Sequence, residues 1–467
     1  MTTLLERPSG APAAEAPYTL AEPPPRVLGF WDQVGLWANL GVSLLGPVGA
    51  IFVLVPQGFS RLALTAAILA VVVGTVVGTA LVALATVPGA QTGAPSMVLL
   101  RGLFGARLSY LPTVLNVVQL IGWSVFEIVT ITAAAQQLLP WHSVRWPYVV
   151  AAGVLTILMT LRPLGAVRVL RRYALVAVTA ATIYLYVELL RRPLGSLSHG
   201  SWSGFWLACD VVIAAAVSFV PLASDYSRHS RSVPKAFAAS FLGYTVTQIA
   251  YYTLGLLALA TVVRSDAVDL QHDMFAAFIA VPVGWLAFAV LTLRELDQSF
   301  ADTYSTVISV QNVFPRFDRR VLAVFVGAVA TVLALEMHIS DYVNFLILLG
   351  SVFVPMFAVF VVDYFVLRGY RHWDVSERAP ERWLMVVPWL LGVAMYQLVY
   401  APDVGPWASW WATVATWLHF TWQSWMSASV LSFGVAAVAT LLVAPFSRRA
   451  SAARSADHPH TAATRDR

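Results

Sequence analysis

Two carboxylates in otherwise apolar stretches are the first residues of this chain that could do chemistry. Glu127 closes the run Leu120-Ile121-Gly122-Trp123-Ser124-Val125-Phe126-Glu127, and Asp302 lies within Phe300-Ala301-Asp302-Thr303-Tyr304-Ser305-Thr306. A charged side chain at the centre of a bilayer costs at least ~2.5 kcal/mol, so such residues face protein or a wet cavity and mark candidate functional sites. Burial disfavours the charged form of a carboxyl group, which opens a proton-carrying role. Trp123 precedes Glu127 by four residues and shares its helix face. That face pairs a flat ring with a hydrogen-bond acceptor, which suits a planar, polar heterocycle that stacks and donates N–H. The plain alternative is a lipid-facing Trp beside a Glu satisfied by a neighbouring helix. Asp302, Ser305 and Thr306 fall at i, i+3 and i+4 and place oxygens on one face. A small hard cation needs such oxygens together with free carbonyls from a broken helix. Arg294 with Glu295 or Asp297 reads as a buried pair that holds helices together, and Asp210, Asp225 and Asp363 read as structural groups at span ends.

The elements that must position these residues are membrane spans. Of 467 residues, 59% are hydrophobic and 11% are charged, against about 25% charged in soluble domains. Apolar runs of the ~20 residues that cross a bilayer recur along the chain. They lie at 31–57, 62–87, 109–139, 146–166, 169–190, 204–226, 236–263, 281–312, 321–338, 341–367, 383–401 and 425–446. The Trp-rich stretch 405–424 reads either as an interfacial helix or as part of a longer final hairpin. Residues 1–28 are polar, rich in Pro and Ala, and lack the pattern of a signal peptide. They and the basic segment 447–467 are expected to be cytoplasmic tails. With both tails inside, 23 Lys and Arg fall on the cytoplasmic side and five outside, with Arg294 alone inside a span. That asymmetry obeys the positive-inside rule and requires an even number of spans. The expected location is therefore the inner or plasma membrane, with both termini cytoplasmic.

Irregularities in the spans repeat. The first contains Ser43-Leu44-Leu45-Gly46-Pro47-Val48-Gly49 and the sixth Ser218-Phe219-Val220-Pro221. Proline removes a backbone donor and clashes with the preceding turn, and backbone freed in lipid survives only where it lines a cavity or packs on protein. Pro47 and Pro221 are 174 residues apart; Glu127 and Asp302 are 175 apart. A unit of five spans used twice explains both offsets, and because five is odd the second copy must be inverted. Paired broken helices in inverted repeats point to a binding site at the membrane midplane. The fold class read here is an all-α polytopic membrane protein of about twelve spans. Its first repeat covers 29–192 and its inverted second repeat 204–368, with two additional helices in 382–446.

Other classes lack support. The sequence has no phosphate-binding glycine loop with Lys, no Gly-x-Ser-x-Gly elbow and no paired metal-ligand histidines, so no enzyme is read here. The single cysteine, Cys209, allows no intramolecular disulfide. The net charge of +5 sits in short loops, which argues against nucleic acid as a partner.

Three segments carry a family resemblance. RGLFGARLSYLPTVLNVVQLIGWS (101–124), FWLACDVVIAAAVSFVPLASDYSRHSRS (205–232) and FADTYSTVISVQN (300–312) resemble motifs of the nucleobase:cation symporters, type 1, in the purine–cytosine permease branch. The resemblance spans roughly residues 30 to 370. It implies a leucine-transporter-type 5+5 inverted repeat, alternating access and cation-coupled uptake. By position it implies that Trp123 and Phe219 stack on a base. Glu127, Ser218, Gln311 and backbone near Gly46 would bond the base edges. Ser305 and Thr306, with first-helix carbonyls near Ser43, would hold the cation. Glu127 replaces the amide usual in the family, and Asp302 stands where a small or amide residue is commoner, which favours a proton over sodium. The expected function is uptake of cytosine or a purine with H+ or Na+ and no other cofactor, by a lipid-embedded monomer. Carriage of a related heterocycle (hydantoin, allantoin, uracil, thiamine-like) or of a cationic amine or amino acid on the same fold is the alternative.

Overall fold

The computed structural model describes residues 24–140, 144–161, 164–194, 199–262, 269–313 and 318–456. Within these, the backbone alone is described at 164–174, 300–301, 304, 307–308, 311–313, 319 and 448–456. The described chain is helical, apart from isolated bridges joining Leu28 to Ser230 and Leu62 to Ser201. In chain order the helices are α1 (Phe30–Leu40), α2 (Leu45–Leu54), α3 (Leu64–Thr92), α4 (Ser96–Phe104), α5 (Tyr110–Leu138), α6 (Trp146–Leu161) and α7 (Leu164–Leu190). They continue as α8 (Phe205–Val217), α9 (Val220–Ser227), α10 (Val233–Val262), α11 (Leu270–Ile279), α12 (Gly284–Val313), α13 (Arg319–Glu336) and α14 (Asp341–Val361). The last three are α15 (Val386–Val399), α16 (Trp407–Trp417) and α17 (Ala428–Ala456). Among the described residues, α3, α5, α10, α14, α17 and the pair α8–α9 are each long and apolar enough to cross a membrane, and the bent pair α1–α2 makes a seventh span. Three shorter apolar helices and the charged α12 accompany them.

Each of the twelve expected spans coincides with a helix or a helix pair. Two short helices were not expected. α4 follows α3, and α11 follows α10 at the same ordinal place in the second half. With them, the order broken pair, long helix, short helix, three longer helices occurs twice, in α1–α7 and α8–α14. The Trp-rich stretch contains α16, which has no buried residues.

Both breaks lie just ahead of their prolines. The first span bends by 61° between α1 and α2, at Gly41–Leu44 rather than at Gly46–Pro47, where the sequence suggested it. Pro47 and Pro221 stand in the first turns of α2 and α9. There the missing N–H has no intrahelical acceptor to lose, so proline begins the second half of each span instead of kinking its middle.

The helices sort into two packed sets. α3 and α10 pack on each other and on the broken pairs α1–α2 and α8–α9, while α5, α6, α12 and α13 pack among themselves. Each set takes the same ordinal helices from both halves. Close approach needs small residues. A Cβ on Gly74 of α3 would come 2.8 Å from the Cys209 carbonyl, and one on Gly78 would come 2.6 Å from Ala216 Cβ. This Gly-x-x-x-Gly pair lets α3 lie against α8.

The aspartates at span ends fasten termini, as the sequence suggested. Asp225 accepts from the Ser96 amide at 2.8 Å and so caps α4. Asp210 accepts from Ser427 Oγ, Ala428 N and Ser429 N at 2.6, 2.7 and 3.0 Å and caps α17. Asp363, in a single π-turn after α14 (Val362–Val366), meets Arg382 through both guanidinium nitrogens at 2.9 and 3.0 Å. Arg382 also donates to the Gly102 carbonyl at 2.8 Å, which ties the loop before α15 to α4.

Candidate functional site

The two breaks face a common cavity of about 50 Å³, room for a few waters at the ~10–15 Å³ each requires. From the first span it is lined by Gly41, Ser43, Leu45 and Gly46, and from the other broken span by Ala215, Ser218, Phe219 and Leu222. α5 contributes Leu120, Trp123 and Glu127; α10 contributes Tyr244, Gln248, Tyr251 and Tyr252. α12 adds Gln298 and Asp302, and α14 adds Tyr342. A Cβ on Gly46 would lie 2.8 Å from Tyr251 Cβ, so only glycine lets α2 approach α10 here.

Two aromatic rings line the space, each braced edge-on. Trp123 meets Tyr342 and Phe345 at centroid distances of 6.0 and 5.3 Å with interplanar angles of 70° and 80°. Phe219 meets Tyr244 at 5.2 Å and 71°. Edge-to-face contacts of this kind add about 0.5–1.5 kcal/mol beyond burial and hold a ring in one orientation.

The polar groups are more telling. Glu127 on α5 and Asp302 on α12 are both buried, and both line the cavity. Glu127 Oε2, Gln248 Oε1 and Tyr252 OH have no hydrogen-bond partner within the described protein, yet all three residues line the cavity.

The other expected residues divide. Ser218 lines the cavity, but its hydroxyl donates to the Ala215 carbonyl at 2.7 Å and its own carbonyl accepts from Gln119 Nε2 at 2.9 Å. Ser43 lines it too, with its hydroxyl given to Glu295 at 2.7 Å. Ser305 and Thr306 do not line it; Ser305 is half-buried and Thr306 Oγ1 donates to the Asp302 carbonyl at 2.8 Å. Of the four residues expected at the cation, Asp302 and Ser43 line the cavity and Ser305 and Thr306 do not. The side chain of Gln311 lies outside the described residues.

Sequence reasoning missed or misassigned four contributors. Glu295 does not pair with Arg294: it accepts from Ser43 Oγ and from the Leu44 amide at 2.8 Å, at the start of α2. Arg294 meets Asp297, the other partner the sequence offered, at 3.4 Å. Gln119 secures the second break, and Gln248 and Tyr252 belong to the cavity lining. A signal for them exists: Gln119, Trp123 and Glu127 are spaced by four, as are Tyr244, Gln248 and Tyr252, and residues so spaced share one helix face.

With this geometry in place, the comparisons with known proteins are informative. The chain is 23% identical over 318 residues to the cytosine permease of Escherichia coli O157:H7, covering 66% of this chain and 72% of that one. It is 22% identical over 352 residues to the putative purine-cytosine permease YxlA of Bacillus subtilis (strain 168), covering 70% and 76%. Among solved structures it superposes on Mhp1, a nucleobase-cation-symport-1 family transporter in a closed conformation with bromovinylhydantoin bound. The TM-score is 0.70 with 16% identity, over 94% of this chain and 96% of that one. The inward-facing conformation of Mhp1 gives a TM-score of 0.72 over 94% and 95%. These superpositions show the fold, that of a polytopic transporter with two inverted five-span repeats. A family profile described as permease for cytosine/purines, uracil, thiamine, allantoin matches residues 37–376, and the chain belongs to that family of secondary transporters.

Proposed function

We propose that this permease takes up a nucleobase, cytosine or a purine, by alternating access coupled to a cation, with the cavity between the two broken spans as its binding site. The observation that carries the reading is the pairing of braced rings with open oxygens. Trp123 and Phe219 offer stacking surfaces, while Glu127, Gln248 and Tyr252 offer unpartnered oxygens. A nucleobase needs both, a planar face and an edge rich in N–H. The cytosine permease similarity of the chain supports this substrate class.

The coupling ion in this reading is H+ or Na+. The buried Glu127 and Asp302 carboxyls supply a place where a proton is held between two helices that belong to different halves. Alternating access would expose that pair to either side of the membrane in turn. The protein works as a monomer in the inner or plasma membrane with both termini cytoplasmic, a placement supported by the 23 to five division of basic residues.

A thermal-shift screen of the purified protein against nucleobases and cationic amines tests the substrate. Cytosine or a purine should raise the unfolding temperature in proportion to occupancy. Stabilisation by amines with none by any base would overturn the assignment.

A further inference from the structure

Consecutive residues of α12 meet the two ends of the broken first span. Arg294 Nη2 donates to the Asn39 carbonyl at 2.9 Å, in the last turn of α1, and to Gln298 Oε1 at 3.1 Å. Its side chain is 5% exposed and its Nη1 lies 3.4 Å from Asp297 Oδ2. One residue on, the fully buried Glu295 accepts from Ser43 Oγ and Leu44 N at the start of α2. A helix end that presents carbonyls is partially negative, and one that presents amides is partially positive. Arg294 thus complements the negative end of α1 and Glu295 the positive end of α2.

Transporters with discontinuous helices use the carbonyl end of a half-helix to coordinate a coupling sodium. At that end of this chain a guanidinium, which is a permanent cation, already bonds the backbone. We infer that Arg294 is a built-in substitute for a sodium ion at the first-span break, fixing α1 to α12 by its own charge, so that the protein binds no coupling sodium there. Two oxygens at the break are already engaged: the Asn39 carbonyl accepts from Arg294, and the Ser43 hydroxyl donates to Glu295. The pair also explains why α12 tolerates so dense a set of charges. Arg294 is balanced by Asp297 and the α1 carbonyls, and Glu295 by the α2 amides. This deepens the reading of a cation-coupled symporter, and it bears on which cation is carried.

The test needs no nucleobase and so fails or succeeds apart from the substrate assignment. Purified wild-type protein is assayed for displaceable 22Na+ binding at constant ionic strength, with a sodium-coupled transporter of the same fold as positive control. In parallel, amide hydrogen exchange over residues 39–46 is compared between wild type, Arg294→Gln and Arg294→Lys. The expected result is no saturable sodium binding by the wild type. Exchange should rise ~10-fold or more in Arg294→Gln and less in Arg294→Lys, which keeps the charge. Saturable, displaceable sodium binding by the wild type overturns the inference, as does exchange in Arg294→Gln equal to wild type. If Arg294→Gln does not fold, wild-type sodium binding decides alone.

Discussion

In the proposed reading Glu127, Gln248 and Tyr252 bear on what the cavity accepts, because each lines it and carries a buried oxygen with no partner in the described protein. Of the three, only Glu127 is a carboxyl group. Glu127→Gln keeps the shape but removes the titratable group and exchanges an acceptor for a donor. The expected outcome is a changed preference among bases, or a changed pH profile of uptake, with normal membrane insertion; uptake equal to wild type at every pH would remove Glu127 from the site. Trp123→Ala removes a stacking face worth about 1–3 kcal/mol per base, a roughly 5- to 150-fold loss of affinity, whereas Trp123→Phe should retain most of it. Titration calorimetry of both variants with the preferred base checks this, and equal losses would mean the ring does not stack. At this scale the sequence was partly legible. Trp123 and Glu127 stand out because a four-residue spacing joins a ring to a charge in an apolar run. Gln248 and Tyr252 do not, since polar amides and tyrosines are common in membrane helices and only the fold shows that they share the cavity with α5.

Among elements, the breaks and their fasteners decide the architecture. Proline marked both broken spans, but it follows each break by a few residues. A proline is best tolerated in a first turn, so it signals the start of the following half-helix and not the gap itself. α4 and α11 escaped notice because helices of nine and ten residues are too short to cross the bilayer and carry no spanning signal. Glu295 was misjudged for a related reason. Adjacent residues on a helix point in different directions, so its neighbour Arg294 was never its natural partner. The Asp363–Arg382 contact is a test at this scale. Both side chains are buried, and removing one partner leaves an uncompensated charge at a cost of about 3–5 kcal/mol. Asp363→Ala should therefore lower the unfolding temperature clearly in detergent, while Asp363→Ala/Arg382→Met should recover much of the loss. A double variant no more stable than the single one would show that the contact does more than balance charge.

The whole molecule couples these parts. One packed set holds both broken spans with α3 and α10; the other holds α5 and α12, and so the two carboxyls. The cavity lies between the sets, so a rocking of one against the other would open it to either side, with Glu127 and Asp302 lining it from the second set. Asp302→Asn should then leave base binding in place but abolish accumulation against a gradient. Accumulation at the wild-type level would reject a coupling role for Asp302. This level was the most legible in the sequence, because a repeated fold leaves its trace in the near-equal offsets of Pro47 to Pro221 and Glu127 to Asp302. The central claim is that the cavity between the broken spans is the transport site for a nucleobase. Its most direct measurement is uptake of labelled cytosine and hypoxanthine into proteoliposomes, comparing wild type with Trp123→Ala under an imposed proton gradient. The account predicts gradient-driven accumulation of at least one base by the wild type, displaced by unlabelled base and lost in Trp123→Ala. Accumulation of neither base, or uptake undiminished in the variant, would contradict it.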